Sequence, residues 1–281
     1  MKKLNIHIPL ALTLGLFVIA YIPALRELSI LWYHLEEYSH AFLTIPIIFY
    51  MVWLKRDELP ITQGNISLCA PLVALASIIY FAGLLLISTS LNSLALITTL
   101  LSILVYFFGL DVLKKLAMPI ILLILLIPIP NQIYSAITVP LQLKVSETSG
   151  FIIQLLNIPV FREGNIIHIP TKTFQVIEAC SGMRYIISIT TLSLIFGYFT
   201  LQKTFSKVTL VLLSIPVAFL VNVIRVLTLV LVFHYFRLDW TTGTVHTIMG
   251  LVIFGIALLI LFLLQRILER WETKKITSGS Y

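Results

Sequence analysis

Residues 208–236 read VTLVLLSIPVAFLVNVIRVLTLVLVFHYF, an apolar run of 29 residues with one formal charge, Arg225. A helix of about 20 apolar residues crosses ~30 Å of hydrocarbon, so this run is long enough to span a bilayer. Outward from it, similar runs lie at roughly 5–24, 39–54, 68–88, 91–110, 113–128, 182–200 and 246–266, giving eight expected spans, of which the second and fifth are short. The composition agrees: of 281 residues 59% are hydrophobic and only 11% charged, and mean hydropathy is +1.04. A single water-soluble core cannot take up that much apolar surface. The expected fold is therefore an all-α polytopic membrane protein, one integral-membrane domain over 1–281 without internal repeats. Lys2 and Lys3 precede the first run, but no small-residue cleavage site follows it, so the run reads as a retained helix.

The net charge of +7 and pI near 9.4 do not point to nucleic acid, because Lys and Arg sit in short clusters beside apolar runs. With the amino terminus inside, Lys2, Lys3, Lys55, Arg56, Lys114, Lys115, Lys203, Lys207, Arg266, Arg270, Lys274 and Lys275 all fall on the cytoplasmic side, twelve of the nineteen basic residues. Both termini are then cytoplasmic. Residues 25–38, 129–181 and 237–245 face outward. Within the long outer insertion, Pro128 and Pro130 stop the fifth span, an amphipathic helix over about 132–157 is expected along the interface, and Pro159–Ile169 with Thr173–Ile177 read as a small β-hairpin around Gly164-Asn165 and Pro170. The hairpin leads to Cys180. Cys69 and Cys180, the two cysteines, fall at opposite faces and cannot pair, which leaves Cys180 a free outer thiol.

Cys180 sits in Glu178-Ala179-Cys180-Ser181-Gly182-Met183-Arg184, where hairpin meets sixth span. A helix amino terminus and a nearby guanidinium, here Arg184 one turn on, both favour the thiolate, and the N–H groups of Ser181 and Gly182 are free to bind an oxyanion. The competing reading is an inert cysteine packed beside a helix cap. Arg225 costs about 2.5–3.5 kcal/mol within an apolar span even on the lenient insertion scale. It lies at least ~15 Å from either end of its run, far for snorkelling, so it is expected to face inward, with Asn222 one turn earlier on the same face. His246 opens the last span on the outer face and suits proton transfer to and from a thiol, or else merely caps a helix. His34, His40, Glu36, Glu37 and Glu178 lack metal-ligand spacing, so neither metal nor other cofactor is expected.

Together these residues resemble the exosortase and archaeosortase family of integral-membrane sorting enzymes. The resemblance rests on Ala179-Cys180-Ser181-Gly182-Met183-Arg184, on Asn222-Val223-Ile224-Arg225, and on His246 with Gly250. It extends to Glu37-Tyr38-Ser39-His40, Ile127-Pro128-Ile129-Pro130 and Arg162-Glu163-Gly164-Asn165, nearly the whole chain. By resemblance Cys180, Arg225 and His246 take the catalytic roles, with Arg184, Ser181, Gly182, Glu178, Asn222 and His40 in support. The family is understood to act on exported proteins with a carboxy-terminal tripartite signal, namely a short motif such as Pro-Glu-Pro, a transmembrane helix and a basic tail. Some relatives continue into a soluble carboxy-terminal domain, which is not expected here.

These readings imply a membrane-embedded cysteine protease or transpeptidase in the cytoplasmic (inner) membrane, its site on the extracytoplasmic face. Water or an amine on a glycan or lipid acceptor would resolve a thioester on Cys180. Two other classes stay open: a secondary transporter binding an anionic solute at Arg225 and Asn222, and a non-catalytic envelope assembly scaffold.

Overall fold

A computed structural model describes residues 4–59, 66–176 and 183–277. The chain packs as two compact units, Met1–Pro130 and Asn131–Tyr281. The boundary falls at the start of the long insertion after the fifth expected span.

The first unit contains α1 (Leu4–Ala20), α2 (Ile22–His34), α3 (Ala41–Leu54), α4 (Ile66–Leu85), α5 (Thr89–Phe108), α6 (Asp111–Lys115) and α7 (Ala117–Leu125). The chain after the first apolar run, expected as a polar outer segment from residue 25, is helical to His34 and bends from α1 by 65°. Pro23 at the start of α2 suits a fresh helix start. Tyr21 pins the break: it is buried, its hydroxyl hydrogen-bonds Thr99 on α5 at 2.8 Å, and its ring meets Tyr80 of α4 edge-on. The expected fifth span is interrupted at Leu116, between α6 and α7.

Two aromatic residues after the bend fix the exit of α7. The Trp32 indole donates to the Leu126 carbonyl at 3.1 Å, and Ile129 N–H donates to the Tyr38 hydroxyl at 2.9 Å. Pro128 and Pro130 have no N–H, so Tyr38 takes the one donor between them. Burial raises the Tyr38 pKa above its ordinary value, keeping the phenol protonated.

The second unit contains α8 (Asn131–Leu155), β1 (Phe161–Glu163), β2 (Ile166–Ile169), β3 (Lys172–Gln175), α9 (Met183–Thr200), α10 (Thr204–Phe236) and α11 (Gly243–Thr277). The amphipathic helix is where the pattern places it, and it packs on α10. Its buried face mixes the small and polar residues Thr138, Gln142, Ser146, Ser149 and Gly150 with Val145 and Ile153, whereas Ile133, Ile137, Phe151 and Leu155 are exposed. Small residues let helices approach closely where lipid covers the apolar side. The expected hairpin is a three-stranded antiparallel meander in the order β1-β2-β3. Gly164-Asn165 and Pro170-Thr171 form its two-residue turns, Gly164 at a φ of +59° that suits glycine.

By length and composition three helices can cross a bilayer, α5, α10 and the apolar part of α11, or four if the bent α1–α2 pair counts as one span. Ala41–Leu54, Cys69–Leu85 and Ile186–Thr200 are apolar but shorter. The hydropathy windows that suggest eight spans count apolar residues without registering bends and breaks, and these shorten several of the helices.

Candidate active site

α10 and α11 lie side by side and are tied at two places. At one, Glu272 on α11 accepts the N–H groups of Gln202 and Lys203 ahead of α10, at 2.9 Å each. Those donors have no partner within the helix, and a carboxylate there also meets the positive end of the helix dipole.

The second tie is between two residues of the expected site. Arg225 is 1% exposed, and its Nη2 lies 2.7 Å from Nε2 of His246. A guanidinium only donates, so Nε2 accepts. The remaining ring nitrogen, Nδ1, lies 3.1 Å from the Trp240 carbonyl and must carry the proton that reaches it. These two contacts define a neutral imidazole in the Nδ1–H tautomer.

The loop between the helices explains how an arginine deep in α10 meets a histidine opening α11. Arg225 stands eleven residues, ~16 Å along the axis, before the end of α10. At Arg237 the chain turns through a left-handed conformation, φ 58° and ψ 21°, and residues 237–242 fold back so that the first turn of α11 starts beside the carboxy-terminal part of α10. The site is recessed below the end of α10.

That loop is tethered to the sheet. Lys172 on β3 pairs with Asp239 at 2.5 Å and reaches the Thr241 hydroxyl at 3.4 Å, its ammonium lying over the rings of Phe174 and Phe233. The Lys172 and Thr241 contacts lower the Asp239 pKa to about 2. Trp240, whose carbonyl orients His246, is held between Asp239 and Thr241. A second clamp acts at the other end of β3. Asn165 accepts the Val176 N–H through its carbonyl at 2.8 Å and donates from its side chain to the Val176 carbonyl at 3.0 Å and to Gln142 of α8 at 3.4 Å. Ser146 of α8 and Arg162 both donate to the Gly164 carbonyl. Val176 is the last described residue before the cysteine segment.

The expected site residues therefore fall into three groups. Arg225 and His246 are brought into contact, and Asn222, fully buried, lies one turn before Arg225 on α10. Cys180, Glu178, Ser181 and Gly182 lie outside the described residues; Arg184 is in the first turn of α9, its side chain likewise outside them. His40 belongs to the first unit, where it precedes α3 and stacks on Tyr38. Sequence reasoning missed Lys172, Asp239 and Trp240. The two charges lie 67 residues apart in separate segments between apolar runs, and no motif joins them. Among the described residues no cluster of His, Cys, Asp or Glu is arranged to hold a metal.

This fold and site define a polytopic membrane protein with a buried arginine in contact with a half-buried histidine beside a small sheet. Residues 32–263 match the family model described as "Transmembrane exosortase (Exosortase_EpsH)". The chain belongs to the transmembrane exosortase family. No curated protein and no solved structure matches it.

Proposed function

We propose that the chain is a cysteine peptidase or transpeptidase that cuts carboxy-terminal sorting signals at the outer membrane–water interface, with Cys180 as nucleophile and Arg225 and His246 as its partners. The observation that carries the proposal is the 2.7 Å contact between Arg225 and His246 inside a chain of this family. Burying a guanidinium in an apolar helix and committing it to an imidazole is costly for a purely structural purpose.

In the proposed cycle Arg225 holds Nε2 of His246 in the resting state. A substrate carbonyl polarised toward an oxyanion is a stronger acceptor than an imidazole, so the guanidinium transfers to it. Nε2 is then free to take the Cys180 proton as the sulfur attacks. The same nitrogen returns that proton to the departing amine, and a thioester is left on Cys180. Water resolves the thioester in proteolysis, and an amine on a glycan or lipid resolves it in transpeptidation. Throughout, Nδ1–H stays on the Trp240 carbonyl, which keeps the ring oriented.

In the proposed topology eight segments cross or enter the cytoplasmic membrane, both termini are cytoplasmic, and the insertion 129–181 faces outward with α8 at the interface. A substrate anchored by its own transmembrane helix would then present its motif at the depth of the recessed pair. The reading is tested by expressing a tagged sorting-signal substrate with Cys180→Ala, Cys180→Ser, Arg225→Ala and His246→Ala. Each is expected to abolish or nearly abolish cleavage, and undiminished cleavage by Cys180→Ala would end the proposal.

A further inference from the structure

A cavity of about 190 Å³ lies beside His246, lined by the five consecutive residues Lys172–Val176 and by Val226, Leu229 and Thr241. Successive side chains of a strand point to opposite faces, so one face cannot contribute five residues in a row. The cavity is lined by the edge of β3, backbone included. β3 is an outer strand of the sheet, and its antiparallel register with β2 shows which groups that edge offers. Val176 donates to Asn165, which makes that pair hydrogen-bonded, and alternation then makes Phe174↔Ile167 and Lys172↔Ile169 hydrogen-bonded pairs as well. The N–H and C=O of Thr173 and Gln175 therefore point away from β2 into the cavity. Among the described residues no strand pairs with that edge.

We propose that this edge is the substrate's docking strand: an extended segment of the substrate adds to the sheet beside β3, its backbone pairing with Thr173 and Gln175 and its scissile bond delivered to His246. The inference rests on the proposed peptidase reading and adds the mode of recognition. An unpaired edge is a ready template for an extended chain, whose main-chain bonds supply affinity while alternate side-chain pockets supply selectivity. Here the opposite wall is Val226 and Leu229 of α10, which suits an apolar or small side chain at every second substrate position. The volume has room for a short extended stretch and not for a folded ligand.

The test uses the full-length protein in membranes and synthetic sorting-signal peptides, each with one backbone amide near the scissile bond N-methylated. Docking on the edge predicts a period of two. Methylation of an amide that faces β3 should raise KM about tenfold, the loss of one hydrogen bond, and methylation of its neighbours should change KM little. Thr173→Pro and Gln175→Pro, which remove the edge N–H groups without touching the bonds to β2, should raise KM likewise, and by more than Thr173→Ala and Gln175→Ala, which keep those groups. Equal tolerance at all peptide positions, or equal loss at all of them, overturns the docking inference while leaving the chemistry standing if Cys180→Ala is inactive. Cleavage of the unmodified peptide by Cys180→Ala overturns the peptidase reading itself, and the docking inference with it.

Discussion

Arg225 is the residue on which the proposed site turns, because a charge that is 1% exposed requires a structured set of partners, and His246 is one of them. Arg225→Ala is expected to lower kcat about 10²–10³-fold, the usual cost of removing an oxyanion donor, as measured by cleavage of a tagged substrate. Arg225→Lys should rescue little, since an ammonium lacks the planar fork that reaches both acceptors. The tautomer is separately testable: 15N NMR of histidine-labelled protein should show His246 neutral and protonated on Nδ1 near pH 7. At Asp239 the sign of the pH dependence follows from a pKa lowered from 3.8 to about 2. The tether's contribution is complete above about pH 4 and is lost as pH falls from there toward 2, so acid should leave loop 237–242 in place until below about pH 4. Protease accessibility of that loop across pH 3–7 checks this, and early release would contradict it. Arg225 and His246 were legible in the sequence because each is anomalous where it stands, a charge in an apolar run and an imidazole opening a span. Lys172 and Asp239 were not, since charged residues in polar connecting segments are unremarkable until the fold joins them.

At the scale of elements, the strongest packing constraints are at helix ends and close crossings. Glu272 serves as a distant amino-terminal cap for α10, so Glu272→Ala should destabilise the α10–α11 pair by about 1–2 kcal/mol, and Glu272→Gln by less, as read from thermal unfolding in detergent. In the first unit Gly83 faces Asn92 across the α4–α5 hairpin, where an added Cβ would lie 2.2 Å from the amide oxygen. Gly83→Val is expected to cost about 1–3 kcal/mol by overpacking, seen as reduced yield of folded protein. The helix over Asn131–Leu155 and the turns at Gly164-Asn165 and Pro170 were readable from amphipathic spacing and turn chemistry. The first strand was not separated from the second because both fall within Pro159–Ile169 and are only three and four residues long. The break at Tyr21 was invisible for a different reason: hydropathy does not change there, and the bend is set by Pro23 and by a hydroxyl partner 78 residues away.

At the scale of the molecule, composition alone fixed lipid as the solvent, and the clustering of Lys and Arg gave an orientation. Hydropathy counts apolar residues and not straight helices, so eight apolar runs become three or four helices of spanning length together with shorter and bent ones. The proposed topology predicts that a cytoplasm-active reporter inserted at the 202–203 turn or fused after Thr277 is functional, and that one inserted at Thr242 is active only outside. The central claim, that this membrane chain performs thiol chemistry on a sorting signal, is tested most directly by mass spectrometry of the protein after brief incubation with a sorting-signal substrate and acid quenching. An acyl adduct on Cys180, sensitive to hydroxylamine and absent from His246→Ala, is the predicted result. Efficient substrate turnover with Cys180 unmodified throughout, or turnover that persists in Cys180→Ala, would contradict it.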